Sequence, residues 1–307
     1  MYWPLIINCL AIFLFIDFNQ PQQVVAAYQD CCGALTTEHF LPSNPDRKRF
    51  VKDDSAPNPE ISAPAGVVML VQDNSFLFLK EASVARPIAS LTKLMTALVF
   101  LNNNPGFDLE YKITPGDYVA GGKINFWSGD TVTVADLFKS ALIGSDNVAA
   151  LALAHSTGLS DEAFVREMNN QARRLGMFSS NFTEPVGLSS ENVASAQDLA
   201  RLVKAALSYS EIAETTSLSA YSFQTKEGKL RRVETTNDLL RAPNQALVLE
   251  GGKTGYTEEA GYCFAAAITE EGEETIITVI LGASSSADRF QDTEELANWT
   301  STYFSWR

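Results

Sequence analysis

The chain has 307 residues, 46% hydrophobic and 20% charged, with a formal net charge of −14. This is the composition of an ordinary globular protein, long enough to bury a sizeable core in one large or two modest domains. The acidic balance argues against nucleic acid as a partner, because phosphate binding needs clustered Lys and Arg. The one basic run, Arg47-Lys48-Arg49 with Lys52, lies in a polar stretch and reads as solvated linker. The two histidines, His39 and His155, are too few for a His-rich zinc hydrolase. Cys9, Cys31, Cys32 and Cys263 show no C-x-x-C or Cys/His spacing, so neither a metal site nor any other cofactor is expected. A Ser-His-Asp triad would need one of the two histidines. His39 has no obvious partner, and His155, after an apolar helical run, reads as structural.

In chain order, residues 2–16 are apolar but shorter than the roughly 20 residues of a membrane span. With Val25-Ala26-Ala27 as a small-residue cleavage site, residues 1–27 read as a signal peptide. No Lys or Arg precedes the apolar run, so an uncleaved N-terminal anchor is the alternative. Under either reading the remainder is exported, and membrane contact is expected only through this segment. Residues 28–60 carry Asn44-Pro45, Pro57-Asn58-Pro59 and many charges, and read as a flexible linker. Ordered structure is expected over residues 61–307.

Gly66 to Leu79 reads as a hairpin, with strands over Val67–Val71 and Phe76–Leu79 and a turn at Gln72-Asp73-Asn74-Ser75. A helix-rich middle follows, expected to form a helical subdomain over roughly residues 100–215. Strands return at Leu247–Tyr256, Gly261–Ile268 and Thr275–Ala283, and a last helix is expected over Ala287–Tyr303. Strands from both chain ends with helices between them predict an α/β (α+β) fold: one antiparallel sheet built from remote segments and covered by helices.

Three polar clusters punctuate this plan. Ser90-Leu91-Thr92-Lys93 opens a run with apolar residues at Leu91, Leu94, Met95, Leu98 and Val99, a helical spacing widened by Ala97 and Phe100. A helix apolar nearly all round is buried. Ser90 would stand at or near its N-terminus, with Lys93 one turn on and on the same face. Burial disfavours an ammonium, and the positive helix end works in the same direction, so Lys93 can serve as a base for an otherwise weak Ser90 nucleophile. A capping Ser and a Lys reaching solvent is the plainer alternative, and this tetrapeptide alone favours it. Ser145-Asp146-Asn147 lies between apolar helical runs at Val132–Ile143 and Val148–Leu153. It reads as a helix–helix turn, or as the polar edge of a cleft where Ser145 relays a proton and Asn147 bonds a substrate amide. Lys253-Thr254-Gly255 sits on an expected strand within Glu250-Gly251-Gly252-Lys253-Thr254-Gly255-Tyr256. It is either a glycine-rich turn or a strand edge along which an extended peptide lies, with Lys253 and Thr254 holding a carboxylate.

Each cluster is weak alone; their order and spacing are not. S-x-x-K, S-D-N and K-T-G in this sequence order are the signature of class A β-lactamases and penicillin-binding proteins. The chain resembles the D-alanyl-D-alanine carboxypeptidases, the low-molecular-weight penicillin-binding serine peptidases, from about Ile61 to the C-terminus. Beyond the three motifs, Pro87 to Leu98 is similar to the family's nucleophile segment. Leu175-Gly176-Met177, Phe182 and Pro185-Val186-Gly187-Leu188 resemble its mid-domain segment. Lys253 to Thr257 with Ala260-Gly261-Tyr262-Cys263 resembles its closing strand pair, and Leu281-Gly282-Ala283 with Arg289-Phe290 the strand and helix after it.

The resemblance implies a sandwich of the penicillin-recognising type with about five antiparallel strands. It implies that Ser90 attacks a D-Ala-D-Ala carbonyl, that Lys93 takes its proton, and that Ser145 passes a proton to the leaving amine. Asn147 would orient the substrate, while Lys253 and Thr254, on the Lys253-Thr254-Gly255 strand, would bind the terminal carboxylate and polarise Ser145. The backbone N–H groups of Ser90 and Tyr256 would form the oxyanion hole, and Arg289 would support the carboxylate side. The partners implied are peptidoglycan stem peptides and covalent β-lactam inhibitors, and the location implied is the periplasm or the outer face of the bacterial cytoplasmic membrane. Two local departures stand out. Glu184 occupies a position where the family usually has Asn, and Glu234-Thr235-Thr236-Asn237 differs from the usual Asn-Thr-Asn. Many members carry a further β-rich domain and an anchoring helix, whereas this sequence ends at Arg307, soon after the expected last helix.

A D,D-endopeptidase cutting peptide cross-links would use the same site. A β-lactamase would need a deacylating Glu, and no Glu-x-x-Leu-Asn lies between Asn147 and Lys253. A catalytically silent peptidoglycan-binding module would be expected to lack the nucleophile or base, and Ser90, Lys93 and Lys253 are all present.

Overall fold

The computed structural model describes residues 50–119, 121, 125–241, 247–270 and 274–306. The expected signal or anchor at 1–27, and the linker up to residue 49, lie outside them. The chain divides into two units, Met1–Val51 with Ser305–Arg307, and Lys52–Phe304. In the first, the rings of Phe50 and Trp306 stand 5.3 Å apart. The sheet, the helices and the cleft belong to the second.

The sheet has five antiparallel strands: β1 (Ala65–Leu70), β2 (Phe76–Lys80), β3 (Leu247–Thr257), β4 (Gly261–Glu270) and β5 (Thr275–Ala283), in the spatial order β3-β4-β5-β1-β2. The expected α/β (α+β) sandwich with about five antiparallel strands is what the chain forms. Strand β1, Ala-Gly-Val-Val-Met-Leu, is buried at every position, which is why it reads as a continuous apolar run rather than an alternating one. It pairs with the last strand through Val67↔Val279 and Met69↔Ile277, joining segments some two hundred residues apart. Asn74, at φ 62, lies in the left-handed region within the hairpin turn between β1 and β2, a conformation Asn tolerates.

The helices of seven residues or more among the described residues are α1 (Thr92–Asn102), α2 (Val134–Ile143), α3 (Asn147–Ser156), α4 (Asp161–Arg174), α5 (Ala196–Leu207), α6 (Ser210–Thr216) and α7 (Ser286–Tyr303). Side chains of a strand alternate between faces, and the alternation sorts the two layers. Val67, Met69, Ala265, Ala267, Ile277 and Val279 share a core cluster with Leu199, Leu202 and Val203 of α5. Phe264 has the other parity, and its ring meets Phe290 of α7 edge-on at 5.1 Å. The sheet is thus covered on both faces, α5 on one and α7 on the other. Helix α7 also ties down the chain before β1: Trp299 Nε1 donates to Pro57 O at 2.7 Å, and Asp292 accepts from Ser62 N and Ala63 N, both at 2.8 Å.

Helix α1 is the centre of the second layer. Every residue from Thr92 to Phe100 is buried, as its apolar circumference requires. Truncating a core residue there, such as Leu98, would cost about 2–5 kcal/mol. Helix α2 starts with a capping box: Thr133 Oγ1 accepts from Asp136 N at 3.1 Å, and Asp136 accepts from Thr133 N at 2.9 Å. That box sets α2 two residues later than the apolar run at Val132 suggests, because Thr131–Thr133 pairs as a short strand with Glu110–Lys112. Among the described residues, no helix is long and apolar enough to cross a membrane.

Candidate active site

Three elements meet at one cleft. The first is the turn before α1. Ala89 to Leu91 form a 3-10 turn, so Ser90 precedes the α-helix proper, which begins at Thr92. Ala89 sits at φ 48, a left-handed conformation that an L-residue with a Cβ adopts at a cost. Lys93 is 1% exposed. Its Nζ lies 2.8 Å from Ser90 Oγ, 2.8 Å from Asn147 Oδ1 and 2.7 Å from Val186 O. Burial brings its pKa down from the ordinary 10.5 to about 7, while the carboxylates of Glu184 and Asp146 act in the opposite sense. A buried amine of that pKa is part neutral at neutral pH and can accept a proton from the serine hydroxyl it touches.

The second element is the turn between α2 and α3. Ser145 stands at φ 57, again left-handed. Asp146 is the N-cap of α3, accepting from Ala149 N at 2.8 Å, and its other oxygen accepts from Asn125 Nδ2 at 2.8 Å. Burial raises the Asp146 pKa, partly offset by these hydrogen bonds and by the charge of Lys93. Asn147 opens the helix and bridges two walls: its Oδ1 accepts from Lys93, and its Nδ2 donates to Gly121 O at 3.0 Å.

The third element is β3, an edge strand of the sheet. Lys253 is 1% exposed, and its Nζ donates to Ser145 Oγ at 2.8 Å and to Thr254 O at 3.0 Å. Burial lowers its pKa well below the ordinary value, and the neighbouring charges of Lys93 and Arg289 push the same way. Gly255 marks the closest approach of strand to turn. A Cβ there would stand 2.9 Å from Ile88 O and 3.1 Å from Ser90 N, so only glycine lets the backbone of 255–256 come alongside that of Ser90. Arg289 reaches from α7 beneath the strand, donating through Nη1 to Gly255 O at 3.2 Å.

Ser90, Gly144, Ser145, Asn147, Leu188, Thr236, Thr254, Gly255, Tyr256 and Arg289 line a cleft of about 240 Å3, with Lys93 and Lys253 buried beneath it. Every site residue expected from the sequence is therefore brought to this one place. His155 is not: its ring bonds Asp117 at 2.6 Å and Asp161 at 3.0 Å, at the far end of α3. The sequence assigned no role to several participants, Gly144 of the cleft lining among them. Thr236 Oγ1 lies 2.5 Å from Thr254 Oγ1, Val186 supplies the carbonyl that holds Lys93, and Leu188 lines the cleft. The departure noted at Glu234 to Asn237 was the available signal for Thr236.

A family model described as D-alanyl-D-alanine carboxypeptidase matches residues 52–285. The chain belongs to that family. Among its relatives, the D-alanyl-D-alanine endopeptidase of Haemophilus influenzae is 39% identical over 179 residues, covering 58% of this chain and 60% of that protein. The D-alanyl-D-alanine endopeptidase of Escherichia coli is 30% identical over 254 residues, covering 81% and 80%. The D-alanyl-D-alanine carboxypeptidase DacF of Bacillus subtilis is 30% identical, covering 78% of this chain and 63% of that one. Solved structures agree. The Streptomyces K15 DD-transpeptidase superposes with a TM-score of 0.73 at 28% identity, over 80% of this chain and 99% of that one. Penicillin-binding protein D2 of Listeria monocytogenes, solved with cefotaxime bound, gives 0.69 at 35% identity over 80% and 99%. The chain thus shares its fold with penicillin-binding D,D-peptidases of the family.

Proposed function

We propose that the chain is a serine D-Ala-D-Ala carboxypeptidase that trims peptidoglycan stem peptides through an acyl-enzyme on Ser90. The observation that carries this reading is a serine hydroxyl 2.8 Å from the amine of a fully buried lysine whose pKa is about 7. Ser90 Oγ attacks the carbonyl carbon of the penultimate D-Ala as its proton passes to Lys93 Nζ. The oxyanion lies between the N–H groups of Ser90 and Tyr256, which the close approach at Gly255 draws together. Ser145, hydrogen-bonded to Lys253, delivers a proton to the leaving amine, and D-Ala departs. Thr254 and Lys253 hold the terminal carboxylate with Arg289 behind them, Asn147 orients the peptide, and water then cleaves the ester. β-Lactams would enter by the same attack and remain on Ser90. The substrate places the enzyme outside the cytoplasmic membrane, in keeping with the expected signal or anchor at residues 1–27.

The names of two relatives favour D,D-endopeptidase action as the second reading, since both are called D-alanyl-D-alanine endopeptidases. A β-lactamase reading gains no support from Glu184, whose carboxylate is occupied by the N–H groups of its own loop. Labelled penicillin should form a covalent adduct located on Ser90 by peptide mass spectrometry; folded protein that takes up no label refutes the mechanism. Free D-Ala from monomeric pentapeptide marks the carboxypeptidase, whereas conversion of cross-linked muropeptide dimers to monomers marks the endopeptidase.

A further inference from the structure

The segment Glu184–Ser189 runs against α1. The carbonyls of Pro185 and Val186 accept from Thr96 Oγ1 at 2.5 Å and from Lys93 Nζ at 2.7 Å, two side chains one turn apart. Gly187, at φ 89, lies so close to the nucleophile turn that a Cβ would meet Ala89 O at 2.1 Å and Ser90 N at 3.0 Å. The loop is gathered around one carboxylate. Glu184 Oε2 accepts from Val186 N at 2.5 Å. Its Oε1 accepts from Gly187 N at 2.6 Å, Leu188 N at 2.8 Å and Ser189 N at 3.3 Å. Asn192 Nδ2 donates to the same Oε1 at 3.0 Å and to Glu184 O at 2.9 Å. Hydrogen bonds to an ionised acceptor are about twice as strong as neutral ones.

The consequence for Lys93 follows from counting donors. A neutral amine has two N–H groups and one lone pair. Asn147 Oδ1 and Val186 O present acceptors to it at 2.8 and 2.7 Å, and these use both N–H groups. The lone pair is then left to face Ser90 Oγ, 2.8 Å away. Without a fixed Val186 carbonyl the amine is free to turn.

We infer that Glu184 is a positioning residue of the acylation step: by gathering the N–H groups of Val186 to Ser189 it holds the Val186 carbonyl against Lys93 and aims the amine at the Ser90 hydroxyl. The inference rests on the reading of Ser90 as nucleophile and Lys93 as base. In the step it serves, the Ser90 O–H bond breaks and its oxygen bonds the substrate carbonyl carbon. The carbonyl π pair moves to the oxyanion, and the proton goes to the Lys93 lone pair to give an ammonium. The charged groups facing Lys93 are Glu184 and Asp146, which favour that ammonium, and Lys253, which opposes it. Orientation by Glu184 favours the basic form's attack; its charge makes that form scarcer. Removing the charge at nearly constant shape separates the two effects.

The test is the pH profile of second-order acylation by a fluorescent penicillin, measured on the full chain and on Glu184→Gln. A glutamine cannot accept from all these donors, and its amide N–H2 opposes one or more of them. The plateau should fall by between about ten- and a hundredfold, while the acid limb moves to lower pH by about half a unit or more, because the lost carboxylate no longer favours the ammonium. An unchanged plateau overturns the inference. So does a lowered plateau with an unmoved acid limb, which is what a general loosening of packing would give. Glu184→Asp keeps the charge, so its acid limb should stay in place with a plateau between the other two. It is read alone if the glutamine variant does not fold, and an undiminished plateau then overturns the inference. Failure of both to fold makes Glu184 a folding residue and also overturns it. Unaltered protein that takes up no label at any pH overturns the parent reading and this one together.

Discussion

The cleft contains two serine–lysine pairs of equal length and opposite origin. Ser90 and Lys93 are three residues apart and meet at 2.8 Å because a helical turn brings them together. Ser145 and Lys253 meet at the same 2.8 Å across 108 residues, and only the packing of the α2–α3 turn against an edge strand brings them together. The first pair depends on local geometry plus burial; the second depends on the whole sandwich. Each lysine is buried and each has its pKa lowered by that burial, yet only Lys93 has carboxylates, Glu184 and Asp146, resisting the shift. The local pair is therefore poised for proton exchange near neutrality. The charged groups that bear on Lys253, Lys93 and Arg289, are cations, an arrangement that would suit the remote pair to meet an incoming carboxylate.

The sharpest way to break this comparison is at the local pair. Lys93→Ala should reduce acylation of Ser90 by about a thousandfold or more. It should also abolish the limb of the pH–rate profile near 7, below which the unaltered protein slows as Lys93 becomes protonated. Stopped-flow labelling against pH reads both. An intact limb in the variant would assign the base elsewhere. Lys253→Ala should cost less, about a hundredfold. Its loss should fall more heavily on peptide substrates ending in a carboxylate than on an amidated analogue; equal losses on both would separate Lys253 from carboxylate binding. The smallest effect is expected at Thr236→Val, which removes one hydroxyl from the Thr236–Thr254 contact. Loss of about one net hydrogen bond predicts a rate or affinity change of a few-fold to about tenfold. A thousandfold loss there would place Thr236 among the groups that touch the reacting atoms.

The two pairs were unequally legible for the same reason that they differ in origin. Helical spacing alone put Ser90 and Lys93 on one face, and the apolar circumference of the run marked the helix as buried, although the tetrapeptide by itself favoured a Lys93 reaching solvent. No periodicity connects Ser145 to Lys253; their meeting followed from resemblance. The five strands were legible because β1 and β5 are nearly continuous apolar runs. The hairpin Ala220–Gln224 with Leu230–Glu234 was not, since among the apolar side chains of these two strands only Phe223 and Val233 are buried. The 3-10 turn ahead of α1 was equally hidden, because alanine is not a residue that announces a left-handed φ. Glu184 was visible only as a departure from pattern, since four of the five donors to its carboxylate are backbone N–H groups, which no side-chain motif records.

Both serine turns carry a non-glycine residue in the left-handed region, Ala89 at φ 48 and Ser145 at φ 57. Each such residue costs about 1–2 kcal/mol, a noticeable fraction of a net stability of about 5–15 kcal/mol. The cleft is thus a small spring loaded by the fold around it. Selection for thermal tolerance alone would find relief in glycine at Ser145, and would enrich proteins that are sturdier but lack the hydroxyl that faces Lys253. Directed evolution of this scaffold will need an activity screen beside every heat screen, because at Ser145 heat resistance and the proposed catalysis draw on one residue in opposite directions.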